Sequence, residues 1–168
     1  MKKFSLVFVL ICLLSTNIFG QDKKHTIFFN FYAFFFGIAN GTGPGIGIGY
    51  DYNINQDFSV GLYGQFYSIF NDDNTTFDII VNSKYYPIKT KIGNPYINAG
   101  FGFRRNHMDG ENFYGLILPV YFGFKFVLWD SLTLDPSFGF RYNSASFSGA
   151  DVNHSFIQVI RATIGWIF

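Results

Sequence analysis

Residues 155–168, the end of the chain, read SFIQVIRATIGWIF. Phe156, Gln158, Ile160, Ala162, Ile164, Trp166 and Phe168 occupy alternate positions, with Ile157, Val159, Arg161, Thr163, Gly165 and Ile167 between them. Successive side chains of a strand point to opposite faces, so each set shares a face. The first is apolar apart from Gln158 and tipped with aromatics, whereas the second holds an arginine. The stretch is too long and too apolar for an ordinary edge strand. An apolar face backed by one that carries a charge suits a strand with lipid on one side and a polar lumen on the other.

The same two-faced pattern recurs upstream. A strand over about Gly45 to Ile54 sets Ile46, Ile48, Tyr50, Tyr52 and Ile54 against Gly45, Gly47, Gly49, Asp51 and Asn53. Glycines on the inward face leave room for larger lumen side chains. The next strand sets Phe58, Val60, Leu62 and Phe66 against Ser59, Gly61, Tyr63, Gln65 and Tyr67. A fourth sets Phe77, Ile79, Val81 and Tyr85 against Asp78, Asn82, Lys84 and Tyr86. The fifth, Pro95 to Arg105, has Ile97, Ala99, Phe101 and Phe103 outward and Tyr96, Asn98, Gly100, Gly102 and Arg104 inward. The sixth places Tyr114, Leu116, Leu118, Val120, Phe122, Phe124 and Phe126 opposite Gly115, Pro119, Tyr121, Gly123 and Lys125. The seventh has Leu132, Leu134, Phe138, Phe140 and Tyr142 outward, with Thr133, Asp135, Ser137, Gly139, Arg141 and Asn143 inward. The first segment, about Thr26 to Phe36, is so rich in Phe that its inward face stays open.

These segments number about eight, each near the ten residues that a tilted strand needs to cross a bilayer. The expected fold is all-β: an eight-stranded antiparallel up-and-down transmembrane β-barrel preceded by a signal peptide. Breakers alternate between two series. Asn55 to Asp57, Pro87 to Asn94 and Trp129 to Ser131 form turns at the end that holds both termini. Asn40 to Pro44, Asn71 to Thr75, His107 to Asn112 and Ser144 to His154 form polar, mostly longer loops at the other end. Outward Tyr50, Tyr52, Tyr85, Trp129, Tyr142 and Trp166 near strand ends read together as interfacial girdles.

The terminal strand resembles that of bacterial outer-membrane β-barrels, in which a final Phe preceded by alternating apolar residues is read by the assembly machinery. The resemblance implies that Ile164, Trp166 and Phe168 are that signal. The order of strands and loops is similar to that of the small OmpA/OmpX-like barrels along nearly the whole chain after the leader. That likeness implies a monomer in the outer membrane of a diderm bacterium, surrounded by lipids and lipopolysaccharide. It also implies export through the general secretory route, periplasmic chaperones and the barrel-assembly machinery as partners. The role it implies is structural or adhesive, with the four loops free to contact a host, ligand or partner.

Composition agrees with strands rather than helices. The chain has 24 Phe, 11 Tyr and 18 Gly, and charged residues make up 14%, below the roughly 25% usual in soluble domains. Met1 to Gly20 has the parts of a secretory signal peptide: Lys2 and Lys3, an apolar run from Phe4 to Leu14, then a small-residue exit at Gly20. That run is too short to span a bilayer, which takes about 20 residues. Cleavage near Gly20 leaves 21–168 as the barrel domain. Losing Lys2 and Lys3 takes the formal charge from +1 to −1, which leaves no basic surface for nucleic acid. It also removes Cys12, the only cysteine, and a lipoprotein reading through Cys12 meets Ile11 where a small residue is needed.

Eight charges fall on the inward faces: Asp51, Asp78, Lys84, Arg104, Lys125, Asp135, Arg141 and Arg161. Buried charges demand partners, so they are expected to form ion-paired and hydrogen-bonded ladders that fill a narrow lumen. Five bases against three acids require tyrosine hydroxyls, water or an anion to share the balance. A narrow porin-like channel lined by the same residues is the alternative. A secreted lipocalin-like lipid carrier would need the reverse facing, apolar inward.

No cofactor or metal is expected. GTGPGIGIGY, 41–50, lacks the Lys-Ser/Thr ending of a phosphate loop, and its glycines alternate as in a strand. His25, His107 and His154 are expected on separate loops, His25 at the opposite end. Outer-membrane lipid A deacylases pair a His with a Ser near a strand end, but His154 and Ser155 lack the intervening residue of that pairing. Accordingly no catalytic residue is assigned.

Overall fold

The alternating segments all become strands. The computed structural model describes residues 24–35, 42–69, 75–90, 93–108, 110–145 and 153–168, so the leader and its cleavage site lie outside the described residues. The strands are β1 His25–Phe35, β2 Thr42–Asn53, β3 Phe58–Ile69, β4 Thr75–Tyr85, β5 Asn94–Met108, β6 Glu111–Leu128, β7 Leu132–Ala145 and β8 Asn153–Ile167. Each pairs antiparallel with the next, and β8 returns to β1 from Thr26↔Ile167 to Phe35↔Gln158, which closes the barrel. Closure leaves no sheet edge, so every strand satisfies its backbone against two neighbours, as a hydrocarbon environment requires.

The facing follows the period-2 reading. Ile46, Ile48, Leu62, Val81, Phe103, Leu118, Phe138 and Ile160 stand exposed on the outer wall, while all eight inward charges are buried. Apolar outside and charged inside is the inverse of a soluble barrel. It is also the reverse of what a lipocalin-like carrier needs.

The structure fixes the facing of β1. Thr26, Phe28, Asn30 and Tyr32 point inward, and Phe29 and Phe31 outward. Phe28 pairs laterally with Gly49 on β2 and Gly165 on β8. A Cβ at Gly49 would collide with the Phe28 ring, so the large side chain sits where its neighbours have none. Gly61 gives the same room to the Asp51 carboxylate, and Gly123 to the Tyr96 ring.

The loop end differs from expectation. Thr42 to Pro44 belong to β2 rather than to a turn, with a register shift between Thr42 and Gly45 where a proline is tolerated. The expected loop from His107 to Asn112 is mostly ladder: His107 pairs with Asn112 and Met108 with Glu111, and the hairpin turns at Gly110 with φ +81°. Thr75 opens β4. Ser144 and Ala145 pair with His154 and Asn153, so the last loop is shorter than its polar composition suggested. Polar sequence marks where the wall leaves the apolar belt, not where pairing ends, because a ladder in water still satisfies its backbone groups.

At the other end the turns at Asn55 and Trp129 are as tight as expected, whereas the longer turn from Pro87 to Asn94 lies partly outside the described residues. The Asn55 side-chain oxygen accepts from the N–H groups of Asp57 (2.8 Å) and Phe58 (2.9 Å), an Asx turn. Ser131 N–H donates to the Leu128 carbonyl at 3.2 Å across Trp129 and Asp130, both at positive φ as this hairpin turn demands. Trp129 is 86% exposed there, at the end of the wall where the sequence reading set a girdle residue.

Candidate functional site

The inward charges separate into two clusters along β4, whose lumen series runs Asp78, Ile80, Asn82, Lys84. Asp78, 0% exposed, is the hub of the cluster nearer the loop end. Its Oδ1 accepts from Arg104 Nε at 2.9 Å. Its Oδ2 accepts from Arg104 Nη2 (3.1 Å), Arg141 Nη1 (3.1 Å), the Tyr67 hydroxyl (3.0 Å) and the Gln65 amide. Tyr67 accepts in turn from both arginines, and each guanidinium carbon lies 5.4 Å from its ring centroid. One carboxylate thus holds two guanidiniums, with the phenol sharing the excess positive charge.

The second cluster lies toward the turns. Lys84 Nζ donates to Asp51 Oδ2 at 2.6 Å and to Asp135 Oδ2 at 3.3 Å, between the rings of Phe28 and Tyr96. The Tyr96 hydroxyl donates to Asp135 Oδ1 and accepts from Arg161 Nη2 at 3.1 Å. Arg161 also donates to Ser137 Oγ at 3.0 Å and stacks over Tyr121, 4.6 Å from its centroid. Asp51 and Asp135 against Lys84 and Arg161 sum to zero formal charge (−2 + 2).

Seven of the eight sequence-assigned charges therefore enter these clusters. Lys125 is buried with them but has no ion-pair partner among the described residues.

The sequence reading set Ile157 and Val159 on the lumen face with Arg161 but left out Ile80 and Ile117 and left the facing of Phe28 open. Phe28, Ile80, Ile117, Ile157 and Val159 form one buried group with Tyr32, Tyr63 and Tyr121. Ile80 and Ile117 sit inside Ile79-Ile80-Val81 and Leu116-Ile117-Leu118, where three apolar residues in a row hide the phase. Counting by twos from Asp78 would have found Ile80. The lumen is thus a packed plug of charged, phenolic and apolar side chains rather than a wholly polar filling.

The three histidines lie on strands rather than loops. His25 stacks on Phe168 at 5.6 Å between centroids and bonds the Tyr50 hydroxyl. His107 meets Asn112 at 3.2 Å. His154 stacks on Tyr142, whose hydroxyl is 2.5 Å from its Nδ1, whereas Ser155 accepts from Asn143. His154 and Ser155 are consecutive on β8 and point to opposite faces, so the structure does not bring them together. Among the described residues no three His, Cys, Asp or Glu side chains gather as metal ligands. Ile164 and Trp166 are exposed on the outer wall. Phe168 exchanges backbone hydrogen bonds with His25, at 2.9 and 3.1 Å, at the seam.

Solved structures share this architecture. Neisserial surface protein A (NspA) superposes with a TM-score of 0.68 at 18% identity, covering 89% of this chain and 100% of that one. The fold is that of the small outer-membrane β-barrels. The N-terminal barrel domain of Pseudomonas aeruginosa OprF matches with a TM-score of 0.61 at 12% identity, covering 86% and 98%. The attachment invasion locus protein Ail of Yersinia pestis, in complex with the heparin analogue sucrose octasulfate, matches at 0.51 and 13% identity, covering 86% and 97%. No protein-family model and no curated protein sequence matches the chain. The closed, eight-stranded antiparallel up-and-down barrel expected from the strand order is the one observed, and these solved structures share that fold.

Proposed function

We propose that the chain is an integral outer-membrane protein of a diderm bacterium with no enzymatic activity. Its barrel is an anchor, and the segments joining β1 to β2, β3 to β4 and β7 to β8 form its working surface outside the cell. The observation that carries this reading is the inversion of the barrel: an apolar, aromatic-ended outer wall around a lumen closed by the Asp78 and Lys84 clusters. A wall of that kind is stable only in lipid. A lumen so filled does not need to transport anything to account for its side chains. Ail, a fold neighbour, is solved in complex with the heparin analogue sucrose octasulfate, which supports a ligand-contacting role for a barrel of this fold.

In this reading Ile164, Trp166 and Phe168 are the segment read by the assembly machinery before β8 pairs with β1. Outer-membrane lipids and lipopolysaccharide surround the monomer. Residues 1–20 direct export and are removed near Gly20.

Fractionation of cells expressing the full-length chain tests the placement. The protein is expected in the outer membrane, with protease applied to intact cells cutting near Asp72 and Asp151 and sparing the turns at Asn55 and Trp129. Recovery as a soluble periplasmic or secreted protein would overturn it. Planar-bilayer recordings test the plug. No stepwise conductance is expected from the purified barrel, and reproducible steps abolished by filling-side-chain mutations would establish the channel alternative instead.

A further inference from the structure

Lys125 is the one lumen charge that neither cluster absorbs. It sits on the inward face of β6, 6% exposed, opposite Asn94, and makes no hydrogen bond or ion pair among the described residues. The two acids nearest in the lumen, Asp51 and Asp135, are shared by Lys84, with Arg161 joined through Tyr96, so that group is already balanced. A buried ammonium whose nearest acids are already engaged by another lysine calls for an anion.

Lys125 lines a cleft of about 370 Å³ that opens at the turn end of the barrel. Lys24 and Lys89 line it too, whereas among the described residues no aspartate or glutamate does. Lys89 is held by Asp57 at 3.2 Å and both partners are largely in water, so Lys125 is the deep charge of the site. Tyr86, also buried, lines the same cleft, and its hydroxyl makes no well-formed hydrogen bond with a described residue. The remaining wall includes Ile54, Val127 and Ile167.

We propose that this cleft is a binding site for a small organic carboxylate. Lys125 Nζ and the Tyr86 hydroxyl are its two donors, and Ile54, Val127 and Ile167 take the hydrocarbon part. Two donors around one buried positive charge suit the two oxygens of a monoanion. A phosphate dianion would leave one charge uncompensated, and an apolar wall gives it nothing to hold. The site is part of the barrel itself and stands whether or not the loops carry the surface role proposed above. In the outer-membrane arrangement it faces the periplasm.

The test uses the barrel purified from membranes of cells expressing the full-length chain, in an uncharged maltoside detergent. Backbone amide resonances near residues 54, 86 and 125 are followed during titration with hexanoate, hexanol and inorganic phosphate. Hexanoate is expected to give saturable shifts and hexanol none. Lys125→Met should weaken hexanoate at least about tenfold, as expected for loss of a buried charge partner. Tyr86→Phe should weaken it about tenfold, the size of one hydrogen bond to a charged acceptor. Lys125→Arg should retain binding and, with Tyr86→Phe, keeps the test decisive if Lys125→Met does not fold, as judged by heat-modifiable migration. No saturable shift with hexanoate, equal shifts with hexanol, an unchanged affinity in Lys125→Met or Tyr86→Phe, or tighter binding of phosphate than of hexanoate would each overturn the assignment.

Discussion

Asp78→Ala is expected to lower the unfolding free energy of the barrel by about 3–5 kcal/mol, the range for removing one partner of a buried ion pair. The change removes the carboxylate that both the Arg104 and Arg141 guanidiniums bond. Arg141 is fully buried, so water cannot take over the lost role without opening the wall. The Tyr67 hydroxyl remains as a shared acceptor, but a neutral oxygen cannot replace a charge. Guanidinium titration of the barrel folded into lipid vesicles measures the loss. The companion experiment removes the orphaned charges as well. Asp78→Ala combined with Arg104→Met and Arg141→Met should recover most of the deficit, because an apolar filling of similar volume often matches a buried ion cluster. A single-mutant loss below about 1 kcal/mol, the size of an exposed pair, would mean that the lumen is wet and that Asp78 compensates nothing.

Most of the wall was legible in the sequence because one rule governs it. Each strand has an apolar outer face and a charged or polar lumen face, so alternation is enforced at every residue from Phe58 to Tyr67 or from Leu132 to Asn143, and a one-residue slip would put charges on the apolar outer wall. The rule fails where both faces take the same residue type. In β1, HTIFFNFYAFF, aromatics occupy both sides, and the inward choice of Phe28 is made by Gly49 and Gly165 across the ladder. That is a tertiary constraint no local pattern contains. Ile80 and Ile117 escaped for the same reason: an apolar lumen position beside apolar lipid positions carries no contrast. The loop end was misread from composition, since His107–Asn112 looks like a loop but pairs like a strand.

The lumen residues themselves were found from charge and phase, but not their partition. Sequence gives eight inward charges and a surplus of bases. It does not say that Asp78 serves two arginines, that Lys84 serves two aspartates, or that Lys125 is left over. That division depends on strand tilt and register around a closed sheet, which bring Arg141 of β7 to Asp78 of β4 across the lumen, 63 residues apart. Phase alone reports which face a residue occupies, not its height or its opposite number.

Val81→Arg separates lipid from water as the medium around this wall. Val81 lies near the middle of β4, 59% exposed, between Leu62 of β3 and Phe101 of β5, and touches none of the lumen clusters. In a bilayer an arginine at that depth must snorkel past neighbouring apolar side chains or draw water and headgroups inward. The expected loss is about 2–4 kcal/mol of folding free energy, falling toward 0–1 near the interfaces. On a barrel surrounded by water the same substitution would stay within about 0.5 kcal/mol, as surface changes do. A depth series therefore carries the decision. Arginine at Val81 should be costly, arginine at Tyr85 in the girdle nearly neutral, and both nearly neutral once the barrel is moved from vesicles to small micelles that deform around the charge. Equal tolerance at the two positions in vesicles would mean that the Phe-rich wall is not facing hydrocarbon, and the membrane reading would fall with it.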